Sequence, residues 1–113
     1  MEIKNSILYL YGFSPTKSNK SNEFLKILKE QLNSGFNIKI VMIHDGVIGT
    51  TNKGTKPAFL EELINASFNI FALLPDLKAR GMDPENLINQ ISGIEYEDLV
   101  DLIIDTNKIV SWM

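Results

Sequence analysis

Phe71-Ala72-Leu73-Leu74-Pro75-Asp76-Leu77-Lys78-Ala79-Arg80-Gly81-Met82 changes character midway. With Phe68-Asn69-Ile70 before it, the first part is a near-continuous apolar run, the pattern of a strand buried on both faces. Pro75 and Asp76 then open a short polar helix and Gly81 ends it, with Asp76 placed to cap its start and Arg80 favourable in its last turn. A buried strand running straight into a helix is the unit of an α/β protein with a parallel sheet. The stretch contains no nucleophile.

The same unit recurs on either side. Ser6 to Tyr11 and Ile38 to Ile43 are short apolar runs rich in β-branched and aromatic residues, and read as two more buried strands. Between them Asn22 to Leu32 places Phe24, Leu25, Ile27, Leu28 and Leu32 at helical spacing, with Gly35 as the stop. A second helix is expected over Ala58 to Ala66, introduced by Pro57 and carrying Phe59, Leu60, Leu63 and Ile64. Asp83-Pro84-Glu85 reads as a further helix start, and Glu97 to Asp105 as a helix with Leu99, Leu102 and Ile103 on one face. Lys108 to Trp112 closes the chain as a strand, while Ile91 to Tyr96, broken by Gly93, is the weakest strand of the five. Parallel strands joined by short connections cross over through helices. The pattern therefore predicts one α/β domain over residues 1–113, a flavodoxin-like three-layer αβα fold with a five-stranded parallel sheet in the order 2-1-3-4-5.

Composition narrows the function. The chain has 113 residues, 44% of them hydrophobic and 22% charged, which suits one packed domain. It has no cysteine, so disulfides, thiolate metal sites and thiol-based covalent chemistry on this chain are excluded. A net charge of -3 and a pI near 5.1 argue against direct nucleic-acid binding. No apolar run has the roughly 18 to 20 residues of a membrane helix, and no apolar signal core follows the first residues, so a cytoplasmic location is expected. Charge is divided along the chain: up to Lys56 eight lysines stand against Glu2, Glu23, Glu30 and Asp45, and after Gly81 seven acids stand against Lys108. Such a split predicts a polarised surface, solvated or used for docking.

In sheets of this kind ligands gather at the carboxyl ends of the strands. His44-Asp45-Gly46 ends the second strand, yet neighbours on a strand point to opposite faces, and one histidine without a second His or Cys makes a poor metal site. Asp45-Gly46 suits a turn, with His44 bonded locally. Gly49 to Lys56 nearly spells the phosphate loop G-x-x-x-x-G-K-[ST], but Thr55 takes the lysine's place and Lys56 the hydroxyl's. A small-anion or nucleotide-binding domain using that loop is the alternative function. Lys17, Lys20, Lys53 and Lys56 fall in loops at one sheet edge, either as solvated lysines or as an electropositive rim that steers an acidic partner. A phospho-receiver role fails because Tyr11-Gly12-Phe13 supplies no acid to share magnesium with Asp76. Trp112, next to the end of the sequence, either packs back on the last helix or enters an interface.

Asp45-Gly46-Val47, Ala72-Leu73 leading to Asp76-Leu77 and Ala79-Arg80-Gly81, Ile94-Glu95-Tyr96 with Asp98-Leu99-Val100, and Trp112 stand in the order and spacing of the TusB/DsrH family of sulfur-relay subunits, which this chain resembles over about its last two thirds. The resemblance implies a DsrE/DsrH-like domain acting as a non-catalytic subunit of a hetero-oligomeric sulfur-transfer complex, in tRNA wobble-uridine thiolation or in sulfur oxidation. It implies homologous cysteine-bearing partners, TusC/TusD-like or DsrE/DsrF-like, and a sulfur-carrier protein. In such complexes the persulfide-forming cysteine of another subunit lies in the loop after its third strand. Here that loop is Leu73-Leu74-Pro75-Asp76. On this reading the chain has no catalytic residue, metal or cofactor of its own, and His44, Asp45, Gly46, Leu74, Pro75, Asp76, Arg80, Gly81 and Trp112 are interface or docking candidates.

Overall fold

A computed structural model describes residues 6–14, 20–53, 57–66 and 68–113. Among them lie five strands, β1 (Ser6–Tyr11), β2 (Asn37–Met42), β3 (Asn69–Leu73), β4 (Ile91–Ile94) and β5 (Lys108–Trp112). The helices are α1 (Lys20–Asn33), α2 (Ala58–Asn65), α3 (Leu74–Ala79) and α4 (Tyr96–Asp105). Short 3-10 turns span His44–Val47 and Pro84–Asn86. The second stands at the helix start expected after Gly81 and goes no further than one turn; Asp83 caps it by accepting from the Glu85 N–H at 3.0 Å.

All strand pairs are parallel, as expected, but the order is β4-β3-β2-β1-β5 and not 2-1-3-4-5. The reason is which face each helix covers. Phe24, Leu25 and Leu28 of α1, Phe59, Leu60 and Leu63 of α2 and Leu77 of α3 all join one core layer with Ile7, Tyr9, Tyr11, Ile40 and Ile70. Right-handed crossovers that keep to one face must step in one direction, so β1 through β4 follow one another across the sheet. Leu99 and Leu102 of α4 pack on the other face, against Leu8, Val41, Ile43, Leu73 and Ile94. That crossover runs the opposite way and returns β5 to the free edge of β1, pairing Leu8 with Ile109 and Tyr11 with Trp112.

The two layers are unequal. One face is covered by three helices around an aromatic cluster in which Tyr11 stacks on Phe24 at 4.5 Å between ring centroids. On the opposite face α4 alone covers the sheet, and Ile103, expected on its packed side with Leu99 and Leu102, is exposed. Leu32 of the expected α1 stripe is exposed as well, in the last turn of its helix. No described helix is long and apolar enough to cross a membrane.

Candidate functional site

The carboxyl ends of β1, β2 and β3 bring together Gly12, the turn His44–Val47 and helix α3. Gly46 lies so near the end of β1 that a Cβ there would stand 2.2 Å from the Tyr11 carbonyl oxygen, so only glycine fits. His44 does not continue the strand: its φ is +50°, in the left-handed region that non-glycine residues enter at a cost of about 1 to 2 kcal/mol. Its backbone N–H donates to Asp76 Oδ2 at 2.6 Å, a charge-assisted bond across 32 residues of sequence.

Asp76 thus does not cap its own helix. The N-cap position is Leu73, without a side-chain cap bond, and Pro75 sits in the first turn where its missing N–H costs nothing. The Asp76 carboxylate reaches sideways to the neighbouring loop instead. From the end of α3, Arg80 adds a second link: Nε and Nη2 donate to Asp45 Oδ1 at 3.2 and 3.1 Å, while Nη1 donates to the Asp76 carbonyl at 3.1 Å. Gly81, at φ +72°, ends the helix in a Schellman motif: its N–H donates to the Lys78 carbonyl at 2.9 Å and that of Met82 to the Leu77 carbonyl at 3.1 Å. His44, Asp45, Gly46, Asp76, Arg80 and Gly81 are therefore one connected cluster, and Leu74 and Pro75 border it, half-buried.

Trp112 packs on α1 and not on the last helix. Its ring centroid is 5.2 Å from that of Phe24, and its carbonyl accepts from the Gly12 N–H at 2.8 Å. The lysine rim is only partly in view: Lys17, Lys56 and the Lys20 side chain lie outside the described residues. Lys53, exposed, lines a cleft of about 420 Å³ with Ile48, Gly49, Thr51, Gly81, Met82, Asp83 and Asn86. Thr50 and Thr51 are buried, and the backbone from Thr50 to Asn52 bonds to the segment before β4: the Ile88 N–H to the Thr50 carbonyl at 2.9 Å, the Asn52 N–H to the Asn86 carbonyl at 2.7 Å. The first part of the Gly49 to Lys56 loop is thereby spent on the fold. Among the described residues no group of three His, Cys, Asp or Glu is placed to hold a metal.

The Glu95 to Asp98 motif also has a structural cause. The side chain of Glu95 accepts from the Asp98 backbone and that of Asp98 from the Glu95 N–H at 3.0 Å, a reciprocal capping box that starts α4. Close approach at Gly46, a Schellman motif at Gly81 and a capping box at Glu95 are three separate demands of one backbone, and all three fall on the motif series.

Residues 13–109 match the family described as DsrH like protein. The chain belongs to the DsrH family. Among its relatives are the proteins named Protein TusB of Shigella flexneri, 32% identical over 74 residues, and of Pectobacterium atrosepticum, 30% identical over 73 residues. The first comparison covers 66% of this DsrH-family chain and 74% of the relative, the second 65% and 73%. The fold is shared with the ychN protein of E. coli, at a TM-score of 0.77 and 15% identity over 96% of this chain and 99% of that one. A protein of unknown function from Methanobacterium thermoautotrophicum, MTH1491, has the same fold at a TM-score of 0.71 and 14% identity, covering 96% and 99%. Membership of the TusB/DsrH family supports a sulfur-relay role.

Proposed function

We propose that this chain is a non-catalytic, cytoplasmic subunit of a hetero-oligomeric sulfur-relay complex, serving tRNA wobble-uridine thiolation or sulfur oxidation. It shapes the assembly while sulfur travels on cysteine-bearing homologous subunits and a sulfur-carrier protein. The observation that carries this is the state of the loop after β3. A persulfide needs a thiol, and the chain has none. In its place Pro75 and Asp76 start α3, and Asp76 is occupied in holding the His44 backbone. A loop tied to its neighbour in this way is suited to present a fixed surface, with His44, Asp45, Leu74, Asp76 and Arg80 at the mouth where a carrier would dock.

Co-expression with the cysteine-bearing homologues of the same organism, followed by native mass measurement and loading with labelled sulfur, tests the reading. The expected result is a mixed complex in which label resides on the partners and is absent from this chain. A chain that stays apart from those homologues at every concentration overturns it.

A further inference from the structure

Helix α4 carries apolar side chains on two sides. Leu99 and Leu102 face the sheet. On its outer side Tyr96, Val100 and Ile104 follow one another at four-residue spacing, which aligns them as one ridge, and they are 59%, 51% and 72% exposed. Ile103 beside them is 37% exposed, and Ile109 of β5, placed on the same sheet face by its register with Leu8, is 38% exposed. A surface helix keeps one apolar stripe and turns polar residues outward; a helix that is apolar on both sides belongs in an interior. Parallel sheets are covered on both faces, and this face has α4 alone.

The charge beside the ridge decides what can cover it. Glu95, Glu97, Asp98, Asp101 and Asp105 lie on or next to α4, and no lysine or arginine occurs between Arg80 and Lys108. Two copies of this chain laid ridge against ridge would bring like charges together, which disfavours self-pairing. An apolar centre with a carboxylate border is complementary to an apolar surface bordered by cations.

We propose that the outer ridge of α4 seats a different chain, one presenting apolar side chains flanked by lysine or arginine, and that this chain is a cysteine-bearing subunit of the complex proposed above. The inference rests on that reading and adds the surface and the chemistry of the partner. Carrier docking and assembly then lie on separate faces: the loops after β2 and β3 at the strand ends, and α4 on the flank.

The test co-expresses those homologues with the wild-type chain, with Val100→Glu/Ile104→Glu, and with Glu97→Lys/Asp101→Lys, and measures assembly by native mass and sedimentation at low and high salt. Val100→Glu/Ile104→Glu is expected to abolish the mixed complex while the isolated chain melts as wild type, because both positions are exposed. Glu97→Lys/Asp101→Lys is expected to weaken assembly by about tenfold or more at low salt and by less at high salt. Assembly of the first variant at wild-type stoichiometry overturns the ridge alone and leaves the sulfur-relay reading standing. Tighter assembly of the lysine variant, or a dimer of the chain by itself that Val100→Glu/Ile104→Glu breaks, overturns the partner's chemistry. A wild-type chain that ignores the homologues overturns both proposals together.

Discussion

The carboxylate of Asp76 accepts a hydrogen bond from the backbone N–H of His44 at 2.6 Å, fastening the loop after β2 to the helix after β3. The two residues are far apart in sequence and neither is buried, so the bond fixes loop geometry more than it supports the core. Bonds to a charged group contribute more than neutral ones, and exposure reduces that. Asp76→Ala is expected to cost about 0.5 to 1.5 kcal/mol and Asp76→Asn, which keeps an acceptor, less. The direct readout is hydrogen exchange: the His44 amide loses protection in Asp76→Ala while amides of β1 and β2 keep theirs. Unchanged His44 protection would mean the bond is not formed in solution.

Two glycines in the same cluster are held for different reasons, and alanine separates them. At Gly46 a methyl group would meet the Tyr11 carbonyl oxygen at 2.2 Å, and both are backbone-bound, so the strand end must move. Gly46→Ala is expected to cost about 3 kcal/mol or more. At Gly81 nothing lies within 4 Å and only the φ of +72° is at issue, so Gly81→Ala should cost about 1 kcal/mol. His44→Gly is the converse, removing the penalty of φ +50°; denaturant midpoints should place it level with wild type or slightly above.

Much of the fold was legible because strand and helix alternate with clear periods. The bounds of β5 and α4 agree with the sequence reading to within a residue, and the strand direction follows from the short connections. The strand order was not, since several orders satisfy the same alternation, and only the faces chosen by α1, α2 and α3 decide between them. One signal was present: Ile40-Val41-Met42-Ile43 is apolar at every position, which suits a central strand, whereas Lys108, Asn107 and Ser111 mark β5 as an edge.

At the candidate site the residues were legible but their connections were not. Asp76 as an N-cap is a local inference; its bond to His44 depends on two loops meeting in space. The sequence pattern puts His44 at the end of the second strand with a local bond; its left-handed turn, beside the close approach of Gly46 to β1, instead aims its N–H at Asp76. On α4, Leu99 and Leu102 account for the packed stripe, and Tyr96, Val100 and Ile104 are the apolar remainder that lies off it.

Tyr11 predicts an alkaline weakness. Its ring is buried and its hydroxyl has no hydrogen-bond partner among the described residues, and burial pushes its pKa up to about 12. Because the folded value lies above the ordinary value of about 10, the native state keeps its proton where the unfolded state has lost it. Stability from this group is therefore full below pH about 10 and falls as pH rises from there toward about 12. Tyr11→Phe removes the orphaned hydroxyl and should stabilise the chain by about 1 kcal/mol at neutral pH. Melting curves across pH 8 to about 11 should fall less steeply for the variant; some fall remains, since burial also raises Tyr9 against the opposing bond to Gln31.

Trp112 distinguishes a packing role from an anchoring one. It is half-buried against Phe24, and its strand completes the edge of the sheet beside β1. Truncating a fully buried large aromatic costs about 3 to 5 kcal/mol, so Trp112→Ala at this half-exposed position should cost about 2 kcal/mol, and Trp112→Phe should restore most of it. As the sole tryptophan it also reports on itself: its fluorescence should shift red on unfolding in the same transition as the far-ultraviolet signal, showing β5 to be part of the cooperative unit. An anchor in an interface would behave otherwise, with Trp112→Ala leaving the melting temperature of the isolated chain unchanged while lowering its association with the cysteine-bearing subunits proposed as its partners. The contact with Phe24 favours the first outcome.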